Sequence, residues 1–170
     1  DRSIRVAGDD FTKDIEEYMR RQHNILVGER TAEEIKINVG AALPELDNPP
    51  SDYAVQGRDL MTGIPKEIVI SYTEIAHALD KTITKIEEAI MNALELTPPE
   101  LSADIFKTGI YLAGGGSMLR GLDKRISMKT RLPVHIAEDP LRAVARGTSI
   151  ALKNLDRFLF LIKEVNGEHY

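Results

Sequence analysis

The first helix predicted from the hydrophobic pattern lies near the start of the chain. Its apolar positions recur every three or four residues and are Phe11, Ile15, Tyr18 and Met19. Asp9 or Asp10 is expected to cap this helix, and Gly28 breaks the segment that follows. Before the helix, the alternation of Ile4 and Val6 predicts a strand.

A second helix is predicted to start at Thr31, because Thr31 and Glu34 have the spacing of a capping box. Its apolar stripe consists of Ile35, Val39 and Leu43. Pro44 is expected to stop it, and residues 45–52, which contain two adjacent prolines, predict an exposed loop.

Residues 53–57 and 66–71 predict two strands that can form a hairpin around Gly63 and Pro65. A capping box of Ser71 and Glu74 then opens a long helix that is expected to end at residues 97–99, Thr-Pro-Pro. The apolar face of that helix is formed by Ile75, Leu79, Ile83, Ile86, Ile90 and Leu94.

After Gly109 the pattern becomes strand, helix, strand, helix. Residues 110–113 predict a strand buried on both faces, followed by a glycine turn and a helix that contains Met118, Leu122 and Ile126. Residues 133–137 predict the next strand. Asp139 and Pro140 then predict the N-cap and first position of a helix through Leu141, Val144, Ala145 and Leu152. This alternation indicates an α/β layer.

Composition narrows the possible functions. The 170 residues carry a net charge of −5 with scattered basic residues, which argues against a general nucleic-acid binder. Cysteine is absent, the four histidines show no metal-ligand spacing, and no apolar run reaches the length of a bilayer span. We therefore expect a cytoplasmic protein without a protein-built metal site. The chain opens at Asp1 without Met, which suggests an excised piece.

The glycine run at residues 114–116 is the sharpest local feature. Glycines between a strand and a helix let a ligand approach backbone N–H groups, although a tight turn explains them equally well. The spacing fits neither a dinucleotide fingerprint nor a Walker loop, and Ser117 lacks the closing glycine of a nucleophile elbow. Ser117 is therefore interpreted as a cap or ligand contact.

Three other polar residues have both a structural and a functional interpretation. His135 lies in an apolar strand, where a packing residue with a satisfied partner is more common than a catalytic base. Glu33 and Lys36 lie three residues apart on one side of the second helix, and spacing alone indicates a solvated ion pair. No pair of carboxylates is placed for acid–base catalysis, so we assign no catalytic residue.

Five sequence blocks together resemble the MreB family of bacterial actin homologues. They are GERTAEEIK (28–36), GRDLMTGIP (57–65), TPPEL (97–101), LAGGGSMLRGL (112–122), and AEDPL (137–141) with VARG (144–147). The blocks occur in the family's order, and the resemblance extends over nearly the whole chain, from Ile4 to about Leu155. The wider actin, heat-shock chaperone and sugar kinase superfamily shares the glycine turn but not all of these blocks.

The resemblance implies the C-terminal half of an actin-like ATPase fold. A larger α/β lobe would comprise residues 1–11 and 78–145, and a smaller inserted α+β lobe residues 12–77. The helix in residues 146–170 would pack on the N-terminal half.

The resemblance also implies a set of nucleotide contacts. Glu33 and Lys36 would contact adenine and ribose, and Met118 would pack near the base. The loop that passes the adenosine and the phosphates would be formed by Gly114, Gly115, Gly116 and Ser117.

The function implied by this resemblance is that of an ATP-binding cytoskeletal protein. The full-length protein would bind ATP with Mg²⁺, polymerise into filaments, and determine rod cell shape by guiding cell-wall synthesis. Its partners would be itself, its N-terminal half and the cell-wall elongation machinery at the inner membrane, and no nucleic acid. The family's phosphate loops and hydrolytic carboxylate precede Asp1, so ATP binding by this chain is expected to be weak and hydrolysis undetectable.

Two alternatives remain open: half of another ATPase of the superfamily, or an interaction module that binds no nucleotide.

The C-terminal segment gives a separate expectation. Several apolar residues between 146 and 162 would lose their partner without the other half, so this segment is expected to dimerise, to swap, or to fold onto the chain's own core. They are Leu152, Leu155, Phe158, Leu159 and Ile162.

Overall fold

The computed structural model describes residues 3–4, 6 and 8–158. Its first six elements are α1 (Gly8–His23), β1 (Ile25–Leu26), α2 (Glu29–Val39), β2 (Tyr53–Asp59), β3 (Pro65–Ile70) and α3 (Tyr72–Glu95). The remaining elements are α4 (Pro99–Thr108), β4 (Ile110–Leu112), a 3₁₀ turn (Gly115–Met118), α5 (Leu122–Thr130), β5 (Val134–Ile136) and α6 (Ala143–Lys153). The strand predicted around Ile4 and Val6 is wrong for these two residues, which have no regular secondary structure; Arg5 lies outside the described residues.

Three helices and a three-stranded sheet in residues 8–95 form most of one core, to which Leu119, Leu122 and Ile126 also belong. The sheet order is β1-β2-β3 and both pairings are antiparallel, with Ile25 opposite Asp59 and Tyr53 opposite Ile70. The predicted hairpin is thereby confirmed, while the two-residue strand β1 was not predicted. The largest fully buried side chains of this region include Ile15, Met19, Ile25, Ile35, Val55, Ile70, Ile75, Leu79 and Ile83.

The starts of α1 and α2 differ from the predicted caps. α1 begins at Gly8, so Asp9 and Asp10 lie within its first turn, where carboxylates favour the positive end of the helix dipole. α2 begins at Glu29 because the Gly28 carbonyl accepts a hydrogen bond from the Ala32 N–H at 3.0 Å. The predicted capping box at Thr31 is therefore wrong.

The end of α2 also differs from the prediction. The Gly40 N–H donates to the Lys36 carbonyl at 2.9 Å, and the backbone then becomes extended at Gly40. The helix thus ends at Val39, before Pro44 can act on it, and Leu43 belongs to the following loop and not to the helical stripe.

The capping box that opens α3 is confirmed. The Glu74 N–H donates to Ser71 Oγ at 3.3 Å, and the Ser71 N–H donates to Glu74 Oε2 at 2.9 Å. The helix runs 24 residues to Glu95, with Leu96 as its C-cap, and so ends before residues 97–99, as expected. Its buried face, which includes Ile75, Leu79 and Ile83, joins the core of the first region.

The second region, residues 99–158, contains a two-stranded parallel sheet in which Ile110 lies opposite Val134 and Leu112 opposite Ile136. Ile110, Leu112 and Val134 pack against the core, so one face is covered. The expectation that this strand is buried on both faces is wrong, because Tyr111 points to the other face and is 68% exposed. The helix α4 before the sheet was not predicted.

Two helix starts in the second region are also corrected. Met118 lies in the 3₁₀ turn, because Gly121 adopts a left-handed conformation (φ 75°) and α5 begins only at Leu122. Asp139 likewise has φ 49° and does not cap a helix; a turn follows, and α6 begins at Ala143 after Arg142, with no side-chain cap.

None of the described side chains of α6 is buried, and Val144 is 72% exposed. The possibility that this helix folds onto the chain's own core is therefore wrong for Ala143–Lys153. Leu159 and Ile162 lie outside the described residues, and self-association of the segment stays a prediction. No helix within residues 8–158 has the length and apolar character of a bilayer span.

Candidate functional site

An ion pair on α2 faces the start of α1. Lys36 Nζ lies 2.5 Å from Glu33 Oε2 and donates to the Gly8 carbonyl at 3.2 Å. Thr12, buried on α1, donates through Oγ1 to Glu33 Oε2 at 2.9 Å. Spacing alone indicated an ion pair in solvent; Glu33 is indeed 45% exposed, but Lys36 is only 17% exposed. The pair is thus held in a fixed position by the neighbouring helix.

These contacts change the acidity of Glu33. The hydrogen bond from Lys36 lowers the pKa of Glu33; partial burial acts in the opposite direction, and the hydrogen bond from Thr12 lowers the pKa further. The net pKa lies below the ordinary value of 4.5, so the carboxylate is ionised at neutral pH. A fixed carboxylate can accept hydrogen bonds from the hydroxyl groups of a ligand, and the ammonium beside it places a positive charge next to them.

The glycine turn forms a second surface opposite this pair. Gly114 has φ 84°, a conformation that favours glycine, and its N–H donates to the Pro140 carbonyl at 2.8 Å. The hydroxyl of Ser117, which is 5% exposed, donates to the Gly114 carbonyl at 2.7 Å. Ser117 therefore closes the turn, and its donor is used internally.

A cavity of about 590 Å³ lies between α2, the start of α1 and the glycine turn. Its lining residues are Gly8, Phe11, Glu33, Lys36, Ile37, Gly115, Gly116, Met118, Leu119, Arg120 and Leu141. This volume falls in the range of small-molecule sites, and the lining combines apolar side chains with a few polar groups, as such sites do.

The structure brings five of the seven predicted site residues to this cavity: Glu33, Lys36, Gly115, Gly116 and Met118. Gly114 and Ser117 do not line it but shape the turn behind it. The lining residues that the sequence did not single out include Phe11, Ile37, Arg120 and Leu141. Arg120 lies in the recognised block 112–122, two residues after Met118. This position is the signal by which the sequence could have identified it as a lining residue.

His135 is exposed and not buried in its strand, which corrects the packing interpretation. Its ring lies 5.0 Å from the ring of Tyr111 on the open face of the parallel sheet. Within the described part of the chain, no group of three or more His, Asp or Glu side chains could hold a metal ion.

The family described as MreB/Mbl protein matches residues 1–159. The chain belongs to the MreB/Mbl family. The cell shape-determining protein Mbl of Bacillus cereus is 44% identical over 155 residues, which are 91% of this chain and 46% of that protein. The cell shape-determining protein MreB of Escherichia coli K12 is 44% identical over 154 residues, or 91% of this chain and 44% of that protein. The chain thus spans about half the length of these MreB/Mbl relatives.

Solved structures show the same fold. MreB5 of Spiroplasma citri bound to AMPPNP superposes with a TM-score of 0.86 and 39% identity, covering 93% of this chain and 47% of that one. The ADP-bound form of MreB5 gives the same TM-score and covers 98% of this chain and 48% of that one. The MreB/Mbl chain described here therefore has the α/β actin-like ATPase fold that the resemblance implied.

Proposed function

We propose that this chain forms one side of the ATP site of an actin-like cytoskeletal protein. The whole protein would polymerise into filaments and determine rod cell shape by guiding cell-wall synthesis. Support comes from the MreB/Mbl family membership, from relatives described as cell shape-determining, and from MreB5 structures that hold AMPPNP or ADP.

The observation that carries the proposal is the cavity between the Glu33–Lys36 pair and the glycine turn. Glu33 would accept hydrogen bonds from ribose hydroxyls, and Lys36, held by Gly8, Thr12 and Glu33, would place its positive charge beside the nucleoside. Phe11 and Met118 offer apolar contact to a base.

The glycine turn would face the rest of the nucleotide. An added Cβ at Gly115 would lie 3.3 Å from Leu141 Cδ2, so a side chain there would crowd the cavity wall. The glycines thus leave room for a ligand to approach the backbone. Mg²⁺, which stabilises phosphoryl groups in such reactions, would enter with ATP in the whole protein.

We assign no residue of this chain to hydrolysis. Phosphoryl transfer needs donors and a metal arranged around the γ-phosphate. In this proposal Glu33 and Lys36, which line the cavity, contact the nucleoside and not the γ-phosphate. The proposal is that the 170-residue chain binds ATP weakly and does not turn it over. The whole protein would act in the cytoplasm at the inner membrane, with itself, its N-terminal half and the cell-wall elongation machinery as partners.

Nucleotide binding is tested by titrating ATP into the ¹⁵N-labelled chain and following amide shifts. We expect weak, saturable shifts in residues 33–37 and 114–120. Glu33→Gln should weaken binding by about fivefold, because a charge-assisted hydrogen bond becomes a neutral one. The matched control is Glu34→Gln, since Glu34 pairs with Arg30 on the solvent side of the same helix.

Three results would separate the alternatives. Saturable binding that Glu33→Gln weakens and Glu34→Gln does not supports the proposal. Absence of shifts at millimolar ATP supports an interaction module that binds no nucleotide. Equal losses in the two variants would place the ligand elsewhere.

A further inference from the structure

A contact behind the cavity joins its two walls. The Ala42 N–H donates to the Arg120 carbonyl at 2.8 Å, and Ala41 forms an isolated parallel bridge with Arg120. The segment after α2 therefore runs beside the segment that follows the glycine turn. The two segments that build the cavity therefore also contact each other directly, beside the cavity.

The side chain of Arg120 strengthens this contact. Its Nη1 donates to the carbonyl of Ile37 at 3.0 Å and to that of Gly40 at 3.4 Å. α2 ends at Val39, and the last carbonyls of a helix lack partners within the helix. A guanidinium there satisfies these oxygens and also lies at the negative end of the helix dipole.

Two glycines allow the segments to approach this closely. A Cβ added at Gly40 would lie 3.0 Å from Leu119 Cδ1 and 2.1 Å from the Lys36 carbonyl oxygen. A Cβ added at Gly121 would lie 2.9 Å from Leu46 Cδ2, and the φ of Gly121 is 75°. Each segment thus contributes a glycine where the other packs on it.

The contact lies very near the residues that line the cavity. Ile37, whose carbonyl Arg120 binds, directly follows Lys36, and Arg120 itself comes two residues after Met118. A change in this contact would therefore shift Lys36 relative to Met118. The far end of the segment is held independently, because Arg125 Nη1 donates to the Ala42 carbonyl at 3.0 Å.

We propose that Arg120 is a positioning residue for nucleotide binding. Its guanidinium holds the C-terminal end of α2 against the segment after the glycine turn, and this fixes the distance between the two walls of the cavity. The inference rests on the nucleotide-binding function proposed above. Because Arg120 also lines the cavity, the competing explanation is a direct contact between its charge and a phosphate.

The test compares four forms of the 170-residue chain: unchanged, Arg120→Met, Arg120→Lys and, as control, Arg30→Met. Adenosine and ATP are titrated separately by ¹⁵N NMR. Arg120→Met should raise the dissociation constants for both ligands by the same factor, about fivefold, because adenosine already spans both walls. Arg120→Lys should restore most of the affinity, since a single nitrogen serves both carbonyls. Arg30, an exposed partner of Glu34, should have no effect.

Amide hydrogen exchange without ligand gives an independent readout. In Arg120→Met the amides of Gly40 and Ala42 should exchange several-fold faster, while those of the hairpin β2–β3 should not change. Faster exchange at these two amides, together with weaker adenosine binding, supports the positioning role.

Several outcomes would overturn it. A loss confined to ATP would make Arg120 a direct phosphate contact, and unchanged adenosine affinity with unchanged exchange would leave it no positioning role. Loss of adenosine affinity without faster exchange would indicate direct contact with the nucleoside. If the unchanged chain binds neither ligand, the proposed function fails and this inference fails with it; if it binds both and Arg120→Met binds equally well, only this inference fails.

Discussion

Residues 8–95 and residues 99–158 use the same kinds of helix but bury them to very different extents. Each of α1, α2 and α3 has fully buried apolar side chains in a shared core. In the second region, α4 and α6 have no buried residues, and only α5 contributes Leu122 and Ile126. An amphipathic pattern therefore predicts a helix, whereas burial depends on whether a partner surface is present.

Several large apolar side chains of the second region are not covered by any other part of the described chain. Leu101 and Phe106 on α4, and Val144 and Leu152 on α6, are all more than half exposed. The chain spans about half the length of its relatives. That α6 packs on the other half of a longer protein is the prediction made from the sequence, and the open face of α6 is consistent with it.

The strongest test of this difference in helix burial is to truncate one leucine in each region. Leu79→Ala should lower the free energy of unfolding by about 3 kcal/mol, because it removes a fully buried side chain and leaves a cavity. Leu152→Ala on α6 should change it by less than about 0.5 kcal/mol. Urea denaturation followed by circular dichroism measures both. Similar losses would show that α6 is buried in solution.

The ion-pair network of Arg125 connects the two regions and should have the next largest effect. Arg125 Nε lies 2.8 Å from Glu87 Oε1, and Nη1 lies 2.8 Å from Asp80 Oδ1. Glu87 is only 8% exposed, so Arg125→Met leaves a buried carboxylate without its main partner. We expect a loss of about 3 kcal/mol or slightly less in the free energy of unfolding.

Arg30→Met serves as the control for that measurement, because Arg30 is 93% exposed and pairs within one helix. Its effect should be close to zero. If the double variant Arg125→Met with Glu87→Met recovers most of the loss, the cost came from the unpaired charge and not from lost packing. A full loss in the double variant would contradict this account.

Helix caps give a smaller contrast between the regions. Ser71→Ala removes the capping box of α3 and should cost about 1 kcal/mol in the free energy of unfolding. Ser102→Ala on α4 removes only an exposed hydrogen bond to the Pro98 carbonyl and should be nearly neutral. Thermal unfolding compared between the two variants decides this, and equal shifts in melting temperature would contradict the expected contrast.

The smallest expected effect concerns pH. Burial raises the pKa of Glu74, but hydrogen bonds from Ser71 and the nearby His23 outweigh burial and place the pKa below its ordinary value of 4.5. A lowered folded-state pKa stabilises the fold above the unfolded pKa, and this stability is lost as pH falls through the folded pKa. The difference in stability between the unchanged chain and Glu74→Gln should therefore shrink below about pH 4.5. Urea denaturation at several pH values checks it; a constant difference would contradict the assignment.

Prediction from the sequence succeeded for two local signals, although a third of the same kind, the capping box at Thr31 and Glu34, was wrong. The hairpin and the capping box of α3 depend on residues close together in the chain, and both were identified correctly. Failures occurred where a backbone conformation decided the boundary. Gly121 and Asp139 adopt positive φ, so the helices after them start later than their side chains suggested. α4 was missed because residues 97–99 were interpreted only as a stop, although proline is also a good first residue of a helix.

The candidate site was predicted more completely than the surfaces around it. The resemblance named Glu33, Lys36 and Met118, which the fold brings to one cavity. It did not name Phe11, whose place at the cavity depends on how α1 packs in three dimensions, or Arg120, although Arg120 lies in the recognised block 112–122. The exposure of Tyr111 was missed for a related reason: an apolar strand does not reveal how many of its faces are covered.

The antiparallel hairpin also has a consequence for the order of folding. Tyr53 pairs with Ile70 across a short connection, whereas Ile110 reaches Val134 only after the glycine turn and α5 have been crossed. Closing a longer loop costs more chain entropy, and parallel pairs form more slowly than local ones. As the chain emerges during synthesis, the two strands of the hairpin can therefore pair early. They then form a surface on which α1 and α2 can pack. The strands that frame the glycine turn can assemble only afterwards.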